Sequence, residues 1–345
     1  MAAEVRLATD DAIVVTGAGG FIGGHLVAHL ARSGFTNVRA VDSKPLDQWY
    51  QRPADARCLE ADLRDSIVCQ AVTTDARWVF NLAADMGGMG FIEANRARCM
   101  LSVLINTNLL LGAMRHGVER YFFSSSACVY NVGLQRRPDV TALREEDAYP
   151  AAPEDGYGWE KLFSERMCRH FSEDFGLATR TARYHNVYGP HGTWDGGREK
   201  APAAICRKVA AAKLFGHKTI DIWGDGRQTR SFTYIDDCVD GTLRIFSGGH
   251  QDPLNLGSEE LVSIDDVVTI VEEIAGVRLK RVYQVDAPKG VRGRNSDNTL
   301  IREVLGWAPS TTLRDGLEQT FGWVYDQLRA GRLDPDARDA VLSTA

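Results

Sequence analysis

The chain has 345 residues, of which 44% are hydrophobic and 25% charged, and its formal net charge is −6. This length suits one large domain or two closely packed domains, and the composition is ordinary for a globular protein. The acidic balance argues against nonspecific nucleic-acid binding, which depends on a basic surface.

Residues 1–11 are mixed in composition, with no charged start followed by an apolar segment. We therefore expect no signal peptide, and no apolar run approaches the roughly 18 residues of a membrane span. The seven cysteines are scattered and lack the C-x-x-C spacing of zinc ribbons and redox pairs. These features predict a cytoplasmic protein with reduced thiols and no metal, membrane or nucleic-acid partner.

A short apolar, β-branched run at residues 12–16 opens the first predicted unit, as is typical of a buried parallel strand. Three glycines spaced three apart follow it, and a helix is predicted over residues 21–33. Backbone N–H groups and the helix dipole at such a helix start can bind a pyrophosphate. The predicted dinucleotide contacts in this turn are Gly17, Gly20, Phe21, Ile22 and Gly23.

The second predicted strand, residues 38–41, ends in Asp42. A carboxylate here would accept hydrogen bonds from a ribose 2′-OH and would repel a 2′-phosphate, which favours NAD over NADP. Further strands are predicted over residues 58–63, 78–83 and 121–124.

Tyr157 and Lys161 lie four residues apart and therefore on one face of a predicted helix. The nearby cation is expected to favour the phenolate, so that Tyr157 can accept a proton from an alcohol during hydride transfer. Cys128 and Lys200 are not needed for that step. Oxidation of the alcohol would create a ketone, which makes the C–H bonds on the neighbouring carbons acidic. Cys128 and Lys200 are candidates for transferring protons to and from those carbons.

A cationic neighbour is expected to lower the pKa of the Cys128 thiol, and partial desolvation is expected to lower that of Lys200. The plainer alternatives are that Cys128 is a small buried hydrophobe and that Lys200 contacts a phosphate or is a surface charge.

Strands alternate with helical patterns as far as about residue 185, which predicts an α/β fold with a doubly wound parallel Rossmann sheet over residues 1–185. Beyond that point a helix is predicted over residues 203–212, an extended segment over 219–223 and another helix from about residue 236. We expect residues 186–330 to form mainly a smaller C-terminal α/β substrate-binding domain with segments that return to the sheet. Residues 331–345 are predicted to be a polar tail.

Several side chains suited to phosphate lie in the second half of the chain. A guanidinium fork matches the oxygens of a diphosphate, although a single such cation is more often a solvated surface charge. Their clustering in glycine-rich motifs predicts a nucleotide-sugar substrate. The candidates are Asn186, Arg207, Lys208, Gln228, Arg230, Arg292 and Arg294.

Five sequence blocks in order resemble the extended short-chain dehydrogenase/reductase superfamily and, within it, the GDP-mannose 3,5-epimerase family. The resemblance covers about residues 13–323. The blocks are residues 83–92 (AADMGGMGFI), 125–128 (SSAC), 192–204, 224–232 and 291–298 (VRGRNSDN).

The resemblance implies a tightly held NAD that oxidises C4 of a GDP-sugar and later reduces it again. Tyr157, assisted by Lys161 and Ser126, would take the C4 hydroxyl proton, and Cys128 and Lys200 would be the acid/base pair at C5 and C3. GDP-D-mannose would give GDP-L-galactose or GDP-L-gulose.

The resemblance also implies binding residues and an assembly. Asp62, Leu63 and Ala83 would contact the cofactor. The substrate contacts would be Met86, Gly87, Gly88, Ser126, Cys128, Asn186, Lys200, Lys208, Gln228, Arg230 and Arg294. A homodimer would form through a four-helix bundle that uses the helix after Tyr157 and one over about residues 97–115, and Trp159 is a candidate subunit contact.

Alternatives remain at this stage. A 4-epimerase would need only Tyr157, Lys161 and Ser126, and a 4,6-dehydratase would want an Asp-Glu pair where Ala127 and Cys128 stand. A non-catalytic NAD-sensing protein would commonly lack the Tyr or the Lys. The sequence leaves open the ratio of the two products, and a GDP-heptose as the substrate.

Overall fold

The structure, a computed structural model, describes residues 4–332. Its strands in chain order are Ile13–Thr16 (β1), Val38–Asp42 (β2), Ala56–Glu60 (β3), Trp78–Asn81 (β4), Arg120–Ser126 (β5), Ala178–Tyr184 (β6), Val187–Tyr188 (β7), Thr219–Trp223 (β8), Thr229–Arg230 (β9), Thr233–Tyr234 (β10), Leu254–Leu256 (β11), Val262–Ser263 (β12), Lys280–Gln284 (β13) and Gly293–Arg294 (β14). Its α-helices are Phe21–Arg32 (α1), Ser66–Thr73 (α2), Met89–Ala94 (α3), Arg96–Met100 (α4), Ser102–Arg115 (α5), Tyr157–Phe175 (α6), Ala201–Phe215 (α7), Ile235–Ser247 (α8), Ile264–Ala275 (α9), Thr299–Leu305 (α10) and Leu313–Arg329 (α11).

The centre of the fold is a seven-stranded parallel sheet in the order β3, β2, β1, β4, β5, β6 and β11. The chain order of the strands reverses between β1 and β4, and ligands bind at the carboxyl edge of such a switch point. The predicted α/β fold with a doubly wound parallel sheet is confirmed.

Successive residues of the central strands pack into two different apolar cores, because side chains alternate between the faces of a sheet. Phe80 and Phe122 enter the core under α1 and α8. Val79 and Phe123 enter the core under α2, α5 and α6. Burial on both faces explains why these strands read as continuous apolar runs.

The strand and helix bounds differ slightly from the predictions. The strand predicted over residues 58–63 runs from Ala56 to Glu60, so Asp62 lies in the loop beyond it. The helix predicted over 203–212 runs from Ala201 to Phe215, and the extended segment at 219–223 is β8. The helix predicted over 97–115 is broken at Leu101 into α4 and α5.

The second half of the chain forms smaller sheets, β7 with β10, β8 with β13, and β9 between β12 and β14. Helices α7, α9 and α11 pack on one another behind them. From this half, β11 joins the main sheet beside β6 and α8 packs on β6. The predicted boundary near residue 185 stays a prediction, and the predicted tail lies outside the described residues from residue 333 on.

Among the described residues one helical stretch, Arg96–Arg115, is long and apolar enough to cross a membrane by length and composition alone. In the fold this stretch packs against α2 and α6. Burial of a core helix gives the same composition, so the packing accounts for it. All seven cysteines are free thiols.

Candidate active site

Two adjoining cavities open at the carboxyl edge of the main sheet, where the switch point predicts a ligand. The first has a volume of about 500 Å³ and the second of about 520 Å³, each in the range of small-molecule sites. All predicted cofactor residues line the first cavity, and all predicted substrate residues line the second. Met86, Gly87, Ser126, Tyr157, Tyr184 and Lys200 line both.

The glycine-rich turn closes one end of the first cavity. Gly17 has a φ of +69°, and a Cβ there would lie 2.7 Å from the backbone of Leu82. A Cβ at Gly23 would lie 2.2 Å from the carbonyl oxygen of Gly17, so the helix and the turn are in close contact. Within residues 4–332 no side chain caps α1 at Gly20, which leaves the first N–H groups of the helix available to a pyrophosphate.

Asp42 is fixed at the wall of the first cavity. Its carboxylate accepts hydrogen bonds from the N–H groups of Gly19, at 3.0 Å, and Lys44, at 2.9 Å. The remaining lone pairs of an oriented carboxylate suit ribose hydroxyls. Asp62 accepts hydrogen bonds from Arg64, which holds it beside Leu63 at the same wall.

Tyr157 and Lys161 lie on the buried face of α6, where Tyr157 lines both cavities and Lys161 lines the first. The Lys161 nitrogen is 5.6 Å from the centre of the Tyr157 ring and 4.7 Å from that of Phe123. Burial raises the pKa of Tyr157 well above its ordinary value, and the neighbouring Cys128 and Glu160 raise it further. The prediction of a favoured phenolate is therefore wrong for the protein alone, because burial outweighs the attraction of the nearby cation.

Cys128 and Lys200 come from different halves of the chain and meet in the second cavity. Burial, reinforced by the charge of Glu154, raises the pKa of the Cys128 thiol to about 11, although Arg294 acts in the opposite direction. The predicted lowering of this pKa is therefore wrong. Burial lowers the pKa of Lys200, as predicted.

The second cavity is lined by two cations, Arg230 and Lys208, that form no ion pair within the part of the chain that the structure describes, and by the amide of Gln228. Arg230 donates hydrogen bonds to the carbonyls of Thr229 and Val291, and burial lowers its pKa to about 10. Lys208 donates to the carbonyl of Asp221 at 2.7 Å. The buried Oε1 of Gln228 has no hydrogen-bond partner among the described residues. A bound anion would interact with Arg230 and Lys208, and an O–H or N–H donor of the same ligand would satisfy the oxygen of Gln228.

Arg294, one of the predicted phosphate ligands, forms an ion pair with Glu154, and two others also have carboxylate partners. Arg207 donates to Glu199 at 2.8 Å, and Arg292 forms a two-pronged pair with Asp225 at 2.7 Å. Carboxylates already neutralise both guanidinium groups, so they are not free to hold a diphosphate.

The loop that follows β4 is held over the junction of the cavities. Its Asp85 forms ion pairs with Arg98 and, at 2.9 Å, with Arg198. The N–H of Gly88 donates to the carbonyl of Arg198 at 2.9 Å. The predicted substrate loop is thereby fastened to the segment that carries Lys200.

Sequence reasoning missed a buried layer of polar residues behind the site. Gln135 and Glu154 accept hydrogen bonds from Arg294, the first at 2.7 Å. Glu165 accepts from Ser125 and pairs with Arg183 at 2.7 Å, behind the strand end that leads to Ser126. These residues could not be identified from local spacing in the sequence, because the hydrogen-bond or ion-pair partner of each is distant along the chain.

The sequence is similar to those of known enzymes over most of its length. The model of the family described as "NAD dependent epimerase/dehydratase family" matches residues 13–257. GDP-mannose 3,5-epimerase 1 of Oryza sativa subsp. indica is 46% identical over 320 residues, which cover 92% of this chain and 82% of that protein. GDP-mannose 3,5-epimerase of Arabidopsis thaliana is 45% identical, and the match again covers 92% of this chain and 82% of that protein.

More distant similarities share the fold. GDP-L-fucose synthase 1 of Arabidopsis thaliana is 27% identical over 90% of this chain and 92% of its own. UDP-glucose 4-epimerase of Thermotoga maritima, solved with UDP-glucose, has a TM-score of 0.82 at 26% identity and covers 92% of this chain and 99% of its own. MoeE5, solved with UDP-glucose and NAD, has a TM-score of 0.78 at 31% identity, and the match covers 92% of this chain and 99% of that one.

Proposed function

Because the chain belongs to the NAD dependent epimerase/dehydratase family and, within it, to the GDP-mannose 3,5-epimerases, we propose that it converts GDP-D-mannose to GDP-L-galactose, GDP-L-gulose or both. The observation that carries this function is that Cys128 lines the second cavity together with Lys200, Tyr157 and Ser126, and that the last three also line the first. A second acid/base pair beside an oxidation site is what inversion next to a ketone requires.

NAD is the cofactor, as predicted, and the first cavity fits it. The uncapped start of α1 would hold the pyrophosphate and Asp42 the ribose, with Asp62 and Leu63 at the far wall. When bound, NAD accepts a hydride from C4 of the sugar and later returns it, and its oxidised ring adds positive charge to the site.

Tyr157 removes the proton of the C4 hydroxyl as C4 becomes a ketone, and Ser126 assists it at the same junction. The ammonium of Lys161 lies behind the phenol and favours the proton transfer electrostatically. These three residues account for oxidation and re-reduction at C4.

The ketone at C4 acidifies the C–H bonds at C3 and C5, because the resulting enolate spreads the charge. Inversion needs removal of a proton from one face of the sugar and return of a proton to the other. Cys128 and Lys200, which approach the second cavity from different halves of the chain, supply the two groups.

The diphosphate of the substrate is held by the cations of the second cavity that form no ion pair among the described residues, above all Arg230 and Lys208. Asn186 and Gln228 line the same cavity and complete the set of polar contacts. The ion pairs of Arg207 and Arg292 keep those two arginines out of this role.

The thiol and the amine also argue against the other functions considered. The reaction of a 4-epimerase or a 4,6-dehydratase would give Cys128 and Lys200 no role, although both line the second cavity. A non-catalytic NAD-binding protein would have no reason to keep Tyr157 and Lys161 together on the buried face of α6.

We also propose a homodimer and a cytoplasmic location. An exposed apolar face on adjacent helices is formed by Met100 on α4, Leu101 between α4 and α5, Leu104 on α5, and Trp159 and Phe163 on α6. A second copy of this face would bury these side chains in a four-helix bundle. The free state of all seven cysteines supports the location.

Phe163→Asp should convert the dimer to a monomer, because a carboxylate would replace an apolar side chain that is 56% exposed in the single chain. Light scattering after size-exclusion chromatography gives the mass. Phe215→Asp, at an exposed phenylalanine on α7, is the matched control and should remain dimeric. A monomeric wild type, or a dimeric Phe163→Asp, would refute this interface.

Proton NMR of GDP-mannose incubated with the enzyme in D2O, without added cofactor, tests the proposed function. We expect deuterium at C5, or at both C3 and C5, together with the new GDP-hexose, and the ratio of the two patterns gives the product balance. UDP-glucose under the same conditions should not exchange. If GDP-mannose neither exchanges nor reacts even after NAD is added, the substrate is a different nucleotide sugar, and a GDP-heptose is the next to try.

A further inference from the structure

Arg198 lies two residues before Lys200, and the proposed reaction gives it no role. Its side chain, which is 39% exposed, contacts two groups of the loop that follows β4. The guanidinium donates a hydrogen bond to Asp85 at 2.9 Å, and its Cζ lies 3.9 Å from the centre of the Phe91 ring. A planar cation suits both contacts at once, because it can stack on a ring while its edge pairs with a carboxylate.

Main-chain contacts join the same two segments. The N–H of Gly88 donates to the carbonyl of Arg198 at 2.9 Å, and a Cβ at Gly88 would lie 2.5 Å from another carbonyl oxygen of the Lys200 segment. The loop is also anchored on its own side, since the N–H of Asp85 donates to Oγ of Ser102 at 3.0 Å and its carboxylate pairs with Arg98 on α4. One loop thus holds the segment through an ion pair, a ring and the main chain.

The segment that carries Lys200 depends on such contacts for its position. Lys200 immediately precedes α7, and the pair of Glu199 with Arg207 ties it to that helix. On the other side the chain passes through Gly196 and Gly197, whose φ values are +76° and +83°. Glycines give a segment little rigidity of its own. The contacts of the loop therefore fix the segment on the side that faces away from α7.

We propose that Arg198 is a positioning residue that ties closure of the substrate loop to the placement of Lys200 beside the sugar. The tie affects the two steps of the reaction unequally. Hydride transfer at C4 uses Tyr157 and Ser126, whereas inversion at C3 and C5 uses Lys200 and Cys128. Loss of Arg198 should therefore slow inversion more than oxidation. This consequence rests on the proposed function, but the tie between the loop and the segment does not.

Amide hydrogen–deuterium exchange of the NAD-loaded enzyme, without substrate, tests the tie itself. Arg198→Ala removes the guanidinium from both of its contacts, and Asp85→Asn removes the charge with which it pairs. Each variant should exchange faster than the wild type in residues 86–92 and also in residues 197–200. We expect roughly two- to tenfold, because half-exposed ion pairs and cation–π contacts are individually modest.

Arg98→Ala is the matched control. It removes the other cation that pairs with Asp85 but leaves the pair with Arg198 in place, so residues 197–200 should exchange as in the wild type. Wild-type exchange of residues 197–200 in both Arg198→Ala and Asp85→Asn would overturn the proposal. Faster exchange there without any change in residues 86–92 would also overturn it, because a tie acts on both segments.

Turnover gives a readout that a merely structural role would not produce. In Arg198→Ala the rate at which GDP-mannose reduces bound NAD should change little. Formation of the inverted sugar should fall by roughly 10- to 100-fold, because a misplacement of about 1 Å can cost that much. A general loss of folded protein would lower both rates equally. Arg198→Arg98-type pairs aside, the ratio of the two rates in Arg98→Ala should match the wild type.

Arg198→Lys keeps the charge without the planar group, and its ratio of rates should lie between those of the wild type and Arg198→Ala. This variant also covers the case that the alanine variant does not fold. Equal losses of both rates, or no loss of either, in the Arg198 variants would contradict the positioning role. If the exchange results hold but the wild type does not act on GDP-mannose, the proposed function alone is refuted.

Discussion

Tyr157→Phe is expected to lower epimerase turnover by roughly 10²- to 10⁴-fold, the usual contribution of a general acid/base. The substitution removes one hydroxyl and keeps a ring that is 95% buried, since Tyr157 is 5% exposed. The C4 proton then has no acceptor, and C4 cannot be oxidised. The measurement is the near-ultraviolet absorbance of reduced nicotinamide after GDP-mannose is added to the NAD-loaded enzyme, and this band should not appear.

Tyr184→Phe is the matched control for this experiment. Tyr184 also lines both cavities, but its hydroxyl is hydrogen-bonded to Thr242 at 2.7 Å, away from the proton that must move. This variant should still reduce the cofactor. If Tyr157→Phe reduces the cofactor as fast as the wild type, the base for the oxidation step is another group.

Cys128→Ala should abolish deuterium exchange at C3 and C5, with product formation lowered by roughly 10²- to 10⁴-fold. Reduction of bound NAD by the substrate should persist, because Tyr157, Lys161 and Ser126 are untouched. Proton NMR in D2O measures the exchange, and absorbance measures the reduction. Together, the two measurements on this one variant separate the role of Cys128 and Lys200 from that of Tyr157 and Lys161.

Cys168→Ala is the control for loss of a thiol, because Cys168 is fully buried on α6 and belongs to the core under that helix. It should exchange like the wild type. Lys200→Ala should resemble Cys128→Ala, and the double variant should be little worse than either, since residues that act as a unit are not additive. Wild-type epimerisation by Cys128→Ala would remove Cys128 from the mechanism.

The sequence predicted the parts of the fold that depend on local pattern. The glycine turn, the strands around it and Asp42 follow from spacing and periodicity over a few dozen residues. The lining of the two cavities was predicted from those motifs together with a family resemblance. The break at Leu101 was missed, because an apolar helical pattern continues through it.

The electrostatics of the site could not be read from the sequence. Arg294 and Glu154 are 140 positions apart, and Arg292 and Asp225 are 67 apart, so neither pair leaves a local signature. The same limit explains the wrong pKa directions for Cys128 and Tyr157. The pKa of a thiol or a phenol is raised or lowered by the balance of burial and nearby charge, and that balance is set only when the chain has folded.

The strand β11 has a consequence for the synthesis of the protein. It pairs with β6 at the edge of the main sheet, where Leu254 lies opposite Ala182, a residue made much earlier in the chain. While the chain emerges from the ribosome, β6 therefore presents an unpaired backbone edge until β11 has been made, and such edges promote association between chains. We expect truncations that end before Leu254 to aggregate, and chaperone demand during translation to fall once that strand has docked.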